Sequence, residues 1–312
     1  MRPRMFEVAD RGEAFALATI VAADGGPRPE GAQMVVTRAQ SWGFLSGGCI
    51  EEDVARNGRE VLKSGQTRTL VYGKGSPFID IRLPCGGRIE VAIERVAADD
   101  PALSDLRALT KARVMADWIS DGVSRNCEKV DNGDLAPNAP IHRRYAPAQR
   151  LIVAGTDPFA LAIAGLGQSI GWETLLLAPN GPSEEPPLHI KCDRRPLREA
   201  LADLEPDAMT AIAVATHDLE RDEEALVPAL RSAAGYVGVL GSRRKLDERH
   251  ERLSAAGLAE AAIARLKAPI GLDIGAASPW EVGIAVVGEI IAERRRRSAA
   301  SKSDRRRVVA AA

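Results

Sequence analysis

The sequence predicts an α/β protein in which an N-terminal α+β domain is followed by a doubly wound parallel-sheet domain. Three observations carry this expectation. From Arg150 onward, short apolar runs alternate with helical patterns, as they do when a parallel sheet is covered by helices on both faces. Before residue 96, strand-like runs are separated by Gly- and Pro-dense loops and interrupted by one amphipathic helix. A chain of 312 residues is long for one hydrophobic core and comfortable for two.

In the first domain, residues 15–22 and 33–37 read as strands flanking DGGPRPEGA (24–32), whose Gly and Pro density enforces a tight surface loop. A short run at 42–45 leads into SGGCIEED (46–53). There Ile50, Val54, Val61 and Leu62 recur at helical spacing and Glu51, Glu52 and Asp53 fill a first turn, which predicts a helix from Cys49 to about Lys63. A strand follows at 68–72. LPCGGRIEVAIE (83–94) reads as a Gly86–Gly87 turn into a half-buried strand, with Ile89, Val91 and Ile93 on one face and Arg88, Glu90, Ala92 and Glu94 on the other. A short helix at 103–111 and a strand at 113–118 complete a domain spanning residues 1–130. DNGDLAPNAPIHRRYAPAQ (131–149) has the Pro, Asn and Gly content of a linker.

The second domain spans 150–297. Residues 151–154 form its first strand, 158–170 a helix stopped by Gly171, and 174–177 its second strand. A buried strand at 211–215 ends at Thr216, His217 and Asp218; after a helix at 223–233, a strand at 236–240 ends at Gly241 and Ser242. Ser242 is expected to cap a helix reaching Ala256, with Gly257 as its left-handed stop. Ser278, Pro279 and Glu281 supply the cap, first-turn proline and capping-box acid of the final helix. Residues 298–312 are basic without an apolar period and read as a disordered tail.

Composition excludes several classes of function. Hydrophobic content of 45%, charged content of 27% and a net charge of -1 give no reason to expect nucleic acid or an anionic membrane as partner. With four cysteines, no apolar run of spanning length and no signal-like start, the expected location is the cytoplasm with reduced thiols. No C-x-x-C pair is present and the four histidines are not at ligand spacing, which argues against a zinc site.

Two of the thiols stand out. Cys49 and Cys85 lie beside glycine pairs, Gly47–Gly48 and Gly86–Gly87, and small neighbours leave a thiol open to a ligand. The positive end of a helix would favour a thiolate at Cys49. The competing reading, a pair of small buried hydrophobes, stays open. In the second domain GTDPFA (155–160) stands where a Rossmann-like dinucleotide fold carries G-x-G-x-x-G. Only the first glycine is present, Asp157 would repel a phosphate, and the second strand ends at Ala178 and Pro179 where an acid would hold a ribose. NAD is therefore not expected. The strand ends at Thr216–His217–Asp218 and at GSRRK (241–245) offer hydroxyl, amide and basic groups that suit an anion, although a plain cap, a hydrogen-bonded turn and a wet helix face would look the same.

Six ordered segments, ATIVAADGGPRPEGAQMVVT, LSGGCIEEDV, LPCGGRIEVAIE, ATHDLERDEEAL, GYVGVLGSRRK and APIGLDIGAASPWEVGIAVVGEII, resemble the xanthine dehydrogenase accessory protein family, XdhC/CoxI. The resemblance covers residues 18–94 and 150–297. It implies a chaperone without turnover that binds molybdenum cofactor, in its molybdopterin or a nucleotide form, protects it, and delivers it to a molybdenum hydroxylase. Xanthine dehydrogenase and aldehyde or carbon monoxide dehydrogenases are clients of that kind, and a cysteine desulfurase and a second copy of the chain are the further partners implied. On this resemblance Cys49 and Cys85, with Gly47, Gly48, Gly86 and Gly87, approach the cofactor's molybdenum end, for which soft sulfur is a suitable donor. Thr216, His217, Asp218, Gly241, Ser242 and Arg243 then receive its anionic part. Two alternatives follow from the residues alone: an NAD(P)-dependent oxidoreductase, and a thiol-based sulfur-transfer protein in which Cys49 and Cys85 cycle.

Overall fold

The computed structural model describes every residue except 27, 77–85, 132–133, 135–136, 180, 182–183, 185 and 311–312. The chain divides into two units, Met1–Pro147 and Ala148–Ala312.

The first unit contains α1 (Arg2–Asp10), β1 (Phe15–Asp24), β2 (Gln33–Val36), β3 (Ser41–Trp42), α2 (Glu51–Ser64), β4 (Arg68–Gly73), β5 (Arg88–Val96), α3 (Pro101–Lys111), β6 (Ala116–Ser120), β7 (Arg125–Lys129) and β8 (Ile141–Tyr145). Five strands form an antiparallel sheet in the order β3-β2-β1-β5-β4, and three form a second one in the order β7-β6-β8. The period of two along β1 divides its side chains between two cores. Ala16, Ala18 and Ile20 join Ile89, Val91 and Ile93 of β5 beneath Val54 and Val61 of α2. Phe15 and Leu17 pack instead with Met5 of α1, Leu106 of α3 and Trp118 of β6.

Two expectations are corrected here. The second face of β5 is not solvated at its C-terminal end: Ala92 and Glu94 are buried, because the three-stranded sheet covers them. Glu94 accepts hydrogen bonds from Trp118 Nε1 (3.0 Å), Ser120 Oγ (2.6 Å) and Arg125 Nε (3.1 Å), and Arg125 also pairs with Asp100. The stretch 131–149 is not a linker throughout, since β8 pairs with β6 from Ser120↔Ile141 to Ala116↔Tyr145. Only Ile141 and Tyr145 of that strand turn fully inward, whereas Arg144 is held by Asp117 at 2.6 and 2.8 Å, so too few apolar residues mark it. Cys127 of β7 is buried, and its thiol is pushed up to about 12 by that burial, which leaves it inert.

The second unit contains β9 (Arg150–Ala154), α4 (Pro158–Ser169), β10 (Glu173–Leu177), β11 (Lys191–Asp193), α5 (Leu197–Leu204), β12 (Thr210–Val214), α6 (Leu219–Arg231), β13 (Tyr236–Val239), α7 (Leu246–Ala255), α8 (Glu260–Ile263), β14 (Leu266–Lys267) and α9 (Pro279–Ala310). All six strands are parallel, in the order β11-β10-β9-β12-β13-β14, which is the doubly wound Rossmann order with its switch point between β9 and β12. Helices α5, α6 and α7 cover one face against Ile152, Ile212 and Val237. Helices α4 and α9 cover the other against Leu151, Val153 and Ala213. The expected capping box opens α9: the Ser278 amide donates to Glu281 Oε2 at 2.9 Å, and the Glu281 amide donates to Ser278 Oγ at 3.4 Å. Residues 298–310, read from the sequence as a disordered tail, continue this helix in backbone conformation. Gly257 ends the preceding helical segment in the left-handed region, φ +78°.

Replacing Glu94 with Ala would leave the buried Arg125, Trp118 and Ser120 donors without their shared acceptor. The expected loss is about 3 kcal/mol or more of folding free energy, with a smaller loss for Glu94→Gln, measured by urea unfolding.

Candidate functional site

The thiol loop of the first unit is organised by a carboxylate. Helix α2 starts at Glu51 with Ile50 as N-cap, so Cys49 immediately precedes its N-terminus and Glu51, Glu52 and Asp53 fill its first turn. The Glu51 side chain accepts from the amides of Leu45 (2.9 Å), Ser46 (2.7 Å) and Ile50 (3.2 Å) and from Ser46 Oγ (2.9 Å). Ser46 Oγ in turn accepts from the Cys49 amide at 3.1 Å. The loop is thus wound around Glu51, with Leu45 and Ile50 buried and Gly47, Gly48 and Cys49 exposed. A β-carbon added at Gly47 or Gly48 would meet nothing within 4 Å among the described residues, and Cys49 itself is exposed. Partial burial alone would raise the Glu51 carboxyl, but the Ser46 and Leu45 hydrogen bonds outweigh it and hold the group below its usual 4.5. Two residues on, Asp53 is buried and accepts from Tyr72 OH at 2.7 Å; burial and that carboxylate raise the phenol.

Cys85 lies outside the described residues. The glycines after it are described: Gly86 has φ +68°, and a β-carbon on Gly87 would come within 2.6 Å of Asp24 O and 2.7 Å of Gly25 C. That approach requires glycine and places the start of β5 against the DGG end of β1. Among the described residues no group of three or more His, Cys, Asp or Glu side chains is arranged to hold a metal ion. Cys49 is a single sulfur donor. Cys192, at β11, is raised by burial.

At the C-terminal edge of the parallel sheet, the Thr216–His217–Asp218 loop after β12 and the Gly241–Ser242–Arg243 turn after β13 are joined from beneath. Thr216 Oγ1 donates to Asp222 Oδ1 (2.6 Å), and Asp222 Oδ2 accepts from Arg249 at 2.6 Å. Both charged residues are buried, at 2% and 4% exposure, and a β-carbon on Gly241 would sit 3.2 Å from the Arg249 guanidinium. Sequence reasoning missed this pair because each lies in a charge-rich helix. The available signal was position: Asp222 begins the stripe continued by Ala225, Leu226, Ala229 and Leu230, the buried face of α6.

The other predicted residues have local roles. Asp218 is the N-cap of α6, accepting from the amides of Glu220 (3.1 Å) and Arg221 (2.9 Å); the Arg221 amide, above all, lowers its carboxyl. Ser242 does not cap a long helix. Its Oγ accepts from the Arg244 amide at 3.1 Å within a 3₁₀ turn, Arg243–Lys245, and α7 begins after it without a side-chain cap. His217 does not pair with Asp218. Its Nε2 lies 2.7 Å from Asp157 Oδ2, with its ring edge-on to Phe159 at 6.1 Å, and its φ of +60° costs a non-glycine residue about 1 kcal/mol or more.

Asp157 itself caps α4, its Oδ1 accepting from the Ala160 amide at 2.8 Å. Gly155 (φ +149°) turns the chain there, and a β-carbon on it would lie 2.3 Å from Ala215 O. Beneath these loops is a cavity of about 60 Å³ lined by residues that include Thr156, Leu177, Ala178, Thr216 and Arg221. Dinucleotide-sized ligands occupy clefts of roughly 300 Å³ or more.

Fold, thiol loop and strand-end edge together define a two-domain protein whose second half is a Rossmann domain without a dinucleotide fingerprint. Residues 151–290 match the family model for the XdhC Rossmann domain, and residues 8–73 match the model for the XdhC and CoxI family. These matches span more than half of the chain, and it belongs to the XdhC and CoxI family. Among curated relatives, the molybdenum cofactor insertion chaperone PaoD of Escherichia coli is 29% identical over 91% of this chain and 84% of its own length. A Bacillus subtilis protein named as a probable xanthine dehydrogenase subunit is 26% identical over 90% and 94%. A crystal structure described as a xanthine dehydrogenase from Bacillus halodurans superposes with a TM-score of 0.76 at 22% identity, covering 95% and 96% of the two chains, and shares the fold.

The Glu51 carboxyl is depressed in the folded chain, so its contribution to stability is fully present above the ordinary glutamate value, 4.5, and is lost as pH falls through the folded value. Urea midpoints taken from pH 7 down to pH 3 should show this acid loss. In Glu51→Gln that contribution to the loss should be missing, and the variant should start about 1–3 kcal/mol less stable at pH 7.

Proposed function

We propose that the chain is an accessory protein that binds molybdenum cofactor, shields it, and delivers it to a molybdenum hydroxylase of the xanthine, aldehyde or carbon monoxide dehydrogenase kind, without turnover of its own. The observation that carries the reading is the exposed Cys49 thiol on a loop fixed by Glu51 and open on its Gly47–Gly48 side. A soft sulfur donor suits the metal end of such a cargo, with Cys85 as the second thiol. Family membership and the name of the Escherichia coli relative support the same reading. Within the second unit, the turn at Gly241, Ser242 and Arg243 and the Thr216 loop offer amide and hydroxyl groups suited to an anion.

Absence of turnover belongs to the same proposal, and the structural roles of Asp218, which caps α6, and of Asp222, which pairs with buried Arg249, accord with it. A cysteine desulfurase as the source of the cofactor's terminal sulfur, and a homodimer as the working form, belong to the same proposal.

The test is co-purification from cells that make the cofactor, with molybdenum and pterin measured per chain. Wild-type protein should carry both. Cys49→Ser should fold normally and hold molybdenum roughly tenfold less tightly, a difference of about 1.4 kcal/mol. Deleting the gene should leave the hydroxylase made and folded but short of active cofactor. Full hydroxylase activity in the deletion strain would refute the reading.

A further inference from the structure

In a Rossmann unit the crevice at the switch point lies between the loop after the first strand and the loop after the fourth, and a ligand phosphate there takes the amides at the first helix N-terminus. In this chain those two loops carry Asp157 and His217. The Asp157 carboxylate accepts the Ala160 amide through one oxygen and holds His217 Nε2 at 2.7 Å through the other, spanning the crevice. The span has a conformational cost, because His217 adopts the left-handed backbone region. What remains below it is the small cavity against Leu177, Ala178 and Thr216.

We infer that Asp157 is a specificity determinant: it serves as the internal anion of the crevice, and by occupying the amide and the imidazole that would receive a ligand phosphate it bars phosphate-bearing nucleotides from the α4 end of the sheet. Two features argue for a role beyond a helix cap. A cap needs one carboxylate oxygen, and Asp218 at α6 serves with one. At Asp157 the second oxygen is committed across the crevice to a residue of another loop. An anionic ligand at this edge must then be received elsewhere, and the turn after β13, with Ser242, Arg244 and Lys245, is the basic alternative. The assignment rests on the cofactor reading only for the identity of the natural ligand.

The test titrates full-length wild type, Asp157→Gly, Asp157→Asn and His217→Ala with ADP, and with adenosine as the phosphate-free control, by calorimetry on variants whose circular dichroism matches wild type. Wild type should bind ADP no better than adenosine. Asp157→Gly should bind ADP at least tenfold more tightly than wild type while adenosine binding is unchanged, and Asp157→Asn, which keeps a cap oxygen but no charge, should gain less. His217→Ala should gain nothing, since the carboxylate remains. ADP binding unchanged within twofold in both folded Asp157 variants would overturn the assignment, as would wild type that already favours ADP over adenosine tenfold. A gain in His217→Ala equal to that of Asp157→Gly would also overturn it, because the exclusion would then lie in the histidine. Molybdenum carried by wild type is a separate readout, so loss of the cofactor reading would leave this result intact.

Discussion

Backbone amides taken out of water need acceptors, and the loops at both candidate surfaces meet that constraint with carboxylates from the chain itself. Glu51 gathers three amides and a hydroxyl, Asp157 caps α4, and Asp218 caps α6. A carboxylate that accepts several donors is a stronger organiser than a neutral side chain, because charge-assisted hydrogen bonds are roughly twice as strong. The thiol loop and the strand-end edge therefore keep their shape without a ligand. At α4 the Ala160 amide, and at α6 the Glu220 and Arg221 amides, are already taken by the Asp157 and Asp218 carboxylates.

The same economy of charge operates in the interior. Asp222–Arg249 beneath the strand ends and Glu94–Arg125–Asp100 between the two sheets of the first unit are buried ion pairs. Such pairs add little net stability compared with apolar packing, yet removing one partner is costly. Their effect is geometric: Asp222 links α6 to α7 through Arg249 and to the β12 loop through Thr216. In the first unit, Glu94 of β5 ties the five-stranded sheet to the three-stranded one by accepting from Trp118 and Ser120 of β6 and Arg125 of β7.

What the sequence made legible was what repeats or what a single residue forces. The alternation of apolar runs and helical patterns after Arg150 located β9, β10, β12 and β13, the four central strands of the parallel sheet. Gly257 and the Ser278–Glu281 box marked helix ends, because left-handed φ and unsatisfied amides admit few residue types. Four of the failures share one cause. Strand β8, Glu94, Asp222 and Arg249 are polar by residue type and buried by tertiary contact, and a polarity pattern cannot report a partner that is distant in sequence. Glu51 was legible as a first-turn acid, but the fold-back of its side chain onto the Leu45 and Ser46 amides was not. At the candidate site the residue types were legible and their partners were not, as His217 shows by pairing with Asp157 across 60 positions.

These features bear on how a carrier differs from an enzyme. An enzyme gains rate by enclosing reacting groups in a dry, preorganised pocket, where electrostatic interactions are strong. A carrier must also let go, and complete enclosure opposes transfer to a second protein. The Cys49 loop is preorganised by Glu51, and among the described residues nothing lies within 4 Å of a β-carbon added at Gly47 or Gly48; the sheet edge offers a cavity of about 60 Å³. Under the proposed function, rigidity limits the entropy lost when the thiol engages its cargo, and openness leaves the other side of that cargo accessible to the recipient.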